Sequence, residues 1–209
     1  MEIKNRVRWT LSTFIFAGIM GLVGVLLRGP VPLPSVDVDA WASAVTNNQY
    51  FVAQVLILFA YVLPFMGFWG LYASLSDQEN VERIAFWGFM ASIIGTSLAI
   101  ATLGVFSYIS PVLAENYLMG DHQSPEIITQ VATGKPAAIN LLGGFLYLLG
   151  TLLLGIAVWR SNSQPKWIGL LLGLHGISLV FGFMYYPLLI LSWLFFLAAG
   201  VWLFIIFRR

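Results

Sequence analysis

His175, in Leu174-His175-Gly176, is the one titratable imidazole inside a long apolar run, and an imidazole there has three uses. It can hydrogen bond an otherwise apolar ligand in a cavity, ligate a haem iron, or stay neutral and bond a neighbouring helix. Haem is the weaker of the two ligand readings, because a b-type site in a bundle needs a histidine pair and the other histidine, His122, lies in a hydrophilic loop. No cofactor is therefore expected. At about 100° per residue, His175 shares a helical face with Leu171, Ser178 and Gly182, away from Gly169, Gly173 and Gly176. Other polar side chains suited to an outward-facing cavity are Gln54, Tyr61, Tyr108, Asn140 and Tyr147, although helix-to-helix hydrogen bonding accounts for Gln54 and Asn140 as well. Tyrosines near span ends, with Trp9, Trp41, Trp159 and Trp167, also suit the headgroup level of a bilayer.

Several chemistries are excluded. The long apolar blocks contain no Asp, Glu, Lys or Arg, which argues against proton-coupled transport, ion pumping and carboxylate catalysis. There is no cysteine, so disulfides and thiol chemistry are absent. A rhomboid-type serine protease needs a nucleophilic serine in a glycine turn, and segment 140–147 has none. The acids Asp37, Asp39, Glu115, Asp121 and Glu126 follow no metal-ligand spacing and read as solvated loop charges. A formal net charge of +1 leaves no footprint for nucleic acid. A non-enzymatic protein is expected.

The elements that must position these residues are set by hydrocarbon. With 59% hydrophobic and 9% charged residues, the chain lies far from a soluble domain, which carries about a quarter charged. Its apolar runs are each long enough to cross about 30 Å of hydrocarbon as a helix. Spans are expected at about 9–27, 50–75, 84–108, 138–159, 167–185 and 187–207, the last two separated at Tyr185-Tyr186-Pro187. The fold class is all-α: a polytopic bundle of six transmembrane helices in the cell (cytoplasmic) membrane. Lys4, Arg6, Arg8, Arg83, Arg160, Lys166, Arg208 and Arg209 then share one side and only Arg28 and Lys135 the other, so both termini are expected in the cytoplasm.

The outer loops, 28–49 and 109–137, are long, and each is expected to hold a short helix. One covers 40–45 behind an Asp39 cap; the other opens on a Ser124 cap with Pro125 at its first position and Glu126 in its first turn, and ends at Gly134. Together they form a partial lid. Helix packing is expected through Gly88, Ser92 and Gly95 in the third span and Gly169, Gly173 and Gly176 in the fifth, with a further stripe at Ala17, Gly21 and Gly24. The similar spacing in the third and fifth spans suggests a parallel repeat of hairpins.

The basic N-terminus, the Pro-rich loop after the first span, the acidic connector 77–82, the long loop 109–138 and the Arg-Arg end give the chain a layout. That layout resembles bacterial six-span membrane families known only as domains of unknown function. The resemblance implies a six-span bundle and transfers no catalytic residue. The partners to expect are the lipid bilayer, a lipid or other apolar small molecule, and a membrane-protein partner or second copy. The leading expectation is a lipid-like molecule bound in an outward-facing cavity. The alternatives are a complex or immunity-type subunit acting by helix packing, and a facilitator for a neutral solute.

Overall fold

The computed structural model describes residues 2–161, 164–182 and 184–207. Arg208, Arg209 and the side chain of Lys4, used above to orient the chain, lie outside them. In order, the helices are α1 (Glu2–Arg28), α2 (Val38–Val45), α3 (Asn48–Val62), α4 (Pro64–Leu75), α5 (Glu79–Leu118), α6 (Ser124–Thr133), α7 (Lys135–Arg160), α8 (Lys166–Gly182) and α9 (Tyr186–Ile206). The described residues contain no strand. With no water in hydrocarbon, a helix satisfies its own backbone, and this chain uses that solution throughout.

Asn5–Arg28, Asn48–Leu75, Glu79–Leu118, Ser124–Arg160 and Tyr186–Ile206 are long and apolar enough to span a bilayer. At 17 residues α8 is shorter, about 25 Å, but it lies between α7 and α9 as a sixth apolar rod. Large apolar side chains such as Trp9, Phe16, Trp87, Leu141 and Phe145 stay exposed around the outside, as lipid contact requires. The chain is a multi-pass membrane protein.

The rods close into a ring in which α1 touches α3 and α4, these touch α5, and the circuit continues through α7, α8 and α9 back to α1. Neighbours run antiparallel: Gly18 faces Leu197 while Gly200 faces Phe14 and Ile15, and Gly88 faces Leu154 while Gly143 faces Leu98. The start of α1 and the end of α9 therefore lie at one end of the bundle, the terminal end. α2 and α6 cover the other, the lid end.

Several boundaries differ from those read in the sequence. Pro64, inside the run expected as one span, has no amide hydrogen and starts α4, so α3 and α4 form one crossing with a joint at Leu63. α5 continues through Pro111 to Leu118, beyond the expected end at 108. The extension persists because it carries a second small core, in which Trp41, Ala42, Val45 and Tyr50 meet Ala114 and Ile128. The lid is thus a packed unit built on the protruding half of α5. The cap of α2 is Asp37, whose carboxylate accepts from Ala40 N at 3.0 Å, while Asp39 sits in the first turn and accepts from the Tyr117 hydroxyl at 2.8 Å. α1 stops at Gly29, whose φ of 63° continues the chain into the left-handed region that glycine tolerates.

Ser124 is the first residue of α6 and not its cap; Gln123 holds that position. Asp121 organises this turn by accepting from Gln123 N at 2.9 Å and from Ser124 Oγ at 2.8 Å. These bonds favour the carboxylate, the backbone bond most, and hold the Asp121 carboxyl below its ordinary value. A carboxyl depressed in this way favours the ordered turn at and above the ordinary carboxylate range, and the contribution is lost as pH falls through the lowered value. Amide exchange at Gln123 is expected to quicken on acidification through that window, after correction for intrinsic rates. In Asp121→Asn the change should vanish.

Candidate functional site

Every described rod except α5 sends a ring into the centre of the bundle. Phe14 comes from α1, Tyr61 from α3, Phe68 from α4, Tyr147 from α7, His175 from α8, and Trp193 and Phe196 from α9. Their edge-to-face contacts include Phe14 with Phe196 at 4.9 Å, Phe14 with Phe68 at 5.3 Å and Tyr61 with Trp193 at 5.7 Å between ring centres. Glycines make room for them. A Cβ at Gly21 would strike the Trp193 ring, and one at Gly67 would meet Phe14 at 2.6 Å.

His175 is the polar member of this cluster and is 0% exposed. Its Nε2 lies 2.7 Å from Tyr147 Oη, and its Nδ1 lies 2.9 Å from the Ser192 carbonyl and 2.8 Å from Ser192 Oγ. One neutral tautomer satisfies the whole set: Nδ1–H donates to the Ser192 carbonyl, the Tyr147 hydroxyl donates to Nε2, and Ser192 Oγ donates to the His175 carbonyl at 3.1 Å. Phe196 lies across the ring at 4.3 Å, and Trp193 is at 5.5 Å. Both ring nitrogens are already bonded to protein, so the imidazole has no free position for a ligand or an iron. Ser178, buried one turn along α8, takes no part in this network.

The small-residue faces are filled from within the chain. Gly88, Ser92 and Gly95 lie against α7, where Gly95 faces the Tyr147 amide and Ser92 lies over Gly150. Gly169 and Gly176 press on a second side of α7, against Gly155 and Thr151, with Gly173 beside Leu152. α7 is thus gripped on two sides. The third span uses its stripe on the rod that follows it and the fifth on the rod that precedes it, so the similar spacings do not meet equivalent neighbours.

Polar groups gather again nearer the lid end. Gln54 is 3% exposed, and its Oε1 is buried with no partner among the described residues. Its side chain bonds Tyr50, whose hydroxyl donates to the Phe106 carbonyl at 3.3 Å. Arg28, on the last turn of α1, places Nε in a buried position with no partner among the described residues, and its charge acts on both Tyr50 and Tyr61. Tyr186 and Gln49 tie down this end of α1 by donating to the Val25 and Leu27 carbonyls at 2.7 and 2.8 Å. Of the residues expected in a cavity, Gln54 and Tyr61 therefore share a neighbourhood, and Tyr147 has joined the His175 cluster. Tyr108 is 58% exposed on α5, and Asn140 is part-exposed on α7.

Sequence reasoning missed Arg28, Ser192 and Phe196. Arg28 carried a signal, being one of two basic residues on the side of the membrane that the charge bias leaves poor in them. Ser192 is a lone hydroxyl in an apolar run, and nothing in its spacing ties it to His175.

Two clefts lie away from both groups. One, of about 760 Å³ at the terminal end, is lined by Tyr72, Glu79, Glu82, Arg83, Phe86 and Trp87; the other, about 190 Å³, is a shallow groove between α7 and α8. Among the described residues no three His, Asp or Glu side chains group closely enough to hold a metal ion. His122 packs beside Tyr117 in the lid, with ring centres 6.1 Å apart.

No curated protein and no solved structure matches the chain. Residues 12–208 match a family described as a domain of unknown function (DUF4386), and they take in most of α1, the later spanning rods and the lid; the chain belongs to that family.

Proposed function

We propose that this is a non-enzymatic membrane protein that binds a lipid-like molecule at the lid end of its bundle, with that end facing away from the cytoplasm. The observation that carries the reading is two buried polar atoms with no partner among the described residues, the Gln54 carbonyl oxygen and Arg28 Nε, on side chains that both act on Tyr50. An unsatisfied buried polar atom costs about 1–3 kcal/mol, and hydrocarbon supplies no water to relieve it. A bound amphiphile with its polar end near Gln54 and Arg28 would relieve that cost. The orientation rests on charge: Arg6, Arg8, Arg83, Arg160 and Lys166 flank the terminal end, and Arg28 and Lys135 the lid end.

A facilitator for a neutral solute would need Phe14, Phe68 and Phe196 to part, since each is 0% exposed where the rods converge. A subunit acting by helix packing would have to use other surfaces, chiefly α5, because α7 already fills the glycine faces.

Native mass spectrometry of the protein released from mild detergent tests the reading. The wild type should retain an added lipid mass, and Gln54→Leu, which removes the unpaired acceptor while keeping the volume, should retain several-fold less. Wild-type protein that sheds all lipid as readily as detergent would sink it.

A further inference from the structure

We infer that Arg28 and Gln54 form a head-group subsite: Arg28 Nε–H donates to a phosphate oxygen, and Gln54 Oε1 accepts from a hydroxyl or ammonium on the same head group. The inference rests on the lipid-binding reading above and specifies its ligand.

The two unpaired atoms are of opposite kind, a charged donor and a neutral acceptor, and both side chains act on Tyr50, so a ligand satisfying both must carry an anionic oxygen and an N–H or O–H donor on one head group. A phosphate monoester or diester bearing a hydroxyl or an amine has that pattern; a quaternary ammonium has no hydrogen to give Gln54. No described residue answers either atom. The acids of the loop that follows α1 have other work: Asp37 caps α2, and Asp39 accepts from Tyr117. The Gln54 side chain is oriented by its bond to Tyr50, and Tyr50 is held in turn by the Phe106 carbonyl, so the acceptor is positioned by α3 and α5 together. Arg28 sits on the turn that Gln49 and Tyr186 anchor. Its location is also suited to a lipid, because it ends a rod at the level where chain leaves hydrocarbon and its side chain stays part-exposed. A guanidinium close to a phosphate makes a charge-assisted bond, stronger than a neutral one and hard to replace with amide chemistry.

The same phosphate chemistry can arrive on a membrane lipid or on a free ester, and competition separates the two. Wild type, Arg28→Gln and Gln54→Leu, each first shown to be monodisperse with an unchanged helical spectrum, are titrated by native mass spectrometry with phosphatidylglycerol, phosphatidylethanolamine, phosphatidylcholine and diacylglycerol. The wild type is expected to prefer the first two over the last two by on the order of tenfold, one charge-assisted bond's worth. Arg28→Gln should lose the preference for phospholipid over diacylglycerol, and Gln54→Leu the preference for phosphatidylethanolamine over phosphatidylcholine. Glycerol phosphate that displaces phosphatidylglycerol at comparable concentration supports the subsite with a soluble ester as its source; no displacement supports the lipid. Equal wild-type retention of diacylglycerol and phosphatidylglycerol overturns the head-group assignment and leaves the lipid-binding reading standing. Unchanged preferences in both folded variants also overturn the assignment. Retention of none of the lipids overturns both.

Discussion

Alanine at His175 is expected to destabilise the folded bundle by about 3–5 kcal/mol, while leaving lipid retention at the lid end within about twofold for the molecules that stay folded. Two effects add. The substitution removes a ring in contact with Phe196 at 4.3 Å and Trp193 at 5.5 Å, leaving a void that the neighbours on α7 and α9 cannot fill. It also strips the Tyr147 hydroxyl and the Ser192 carbonyl and hydroxyl of a shared partner in a place no water reaches. For a chain of this size each kcal/mol corresponds to about 2–4 °C, so the loss should read as roughly 10 °C in a thermal unfolding curve in detergent. Tyr147→Phe, which keeps the ring and deletes one bond, should cost about 1 kcal/mol, and the double variant should cost less than the sum because both single changes break the same bond. A ligand-anchoring histidine would behave oppositely, with binding lost and the unfolding temperature little changed.

Leucine at Gly95 is the second change with a large expected effect. A Cβ there would run into the Tyr147 amide and the Gly143 carbonyl, which are backbone and cannot turn aside as a side chain end can. α5 and α7 must separate, and with them Ser92 from Gly150 and Gly88 from Leu154. A loss of at least about 3 kcal/mol, or failure to recover monodisperse protein, is expected. Gly104 on the same helix supplies the control, since nothing lies within 4 Å of a Cβ added there. Gly104→Ala should be neutral or stabilising by up to about 1 kcal/mol, because alanine restricts the unfolded chain and favours helix. Equal damage from the two substitutions would mean that α5 and α7 do not pack as described.

The spanning rods were legible because their cause is a single length, the thickness of hydrocarbon, that any apolar run either meets or does not. The break before Pro187 was legible for the same local reason that proline ends a helix. Pro64 was overlooked because the joint it makes, at Leu63, hardly interrupts the apolar run on either side. The continuation of α5 to Leu118 was not legible, since it depends on Trp41 and Ile128 arriving from distant segments to cover its protruding half. The centre of the bundle shows the same divide. That His175 had a neutral, helix-bonded option could be read from one sequence; that its partners are Tyr147 and Ser192, each on a different rod, could not. Tyr147, expected near the head groups or in a cavity, is buried because α7 is gripped by α5 and α8. Arg28 was counted as an exception to a charge rule, and one sequence could not show that its Nε and the Gln54 oxygen would both be buried without a partner among the described residues.

The closed aromatic centre and the proposed lipid subsite at the lid end draw on different residues. The most direct measurement is photocrosslinking with a phosphatidylglycerol that carries its reactive group beside the phosphate, followed by peptide mapping of the crosslinked protein. Adducts concentrated on the end of α1 around Arg28 and on the first turns of α3 around Gln54, and reduced in Arg28→Gln, are the predicted result. Adducts on the segments bearing His175, Ser192 and Trp193, or spread evenly over the outer surfaces of all the rods, would contradict it.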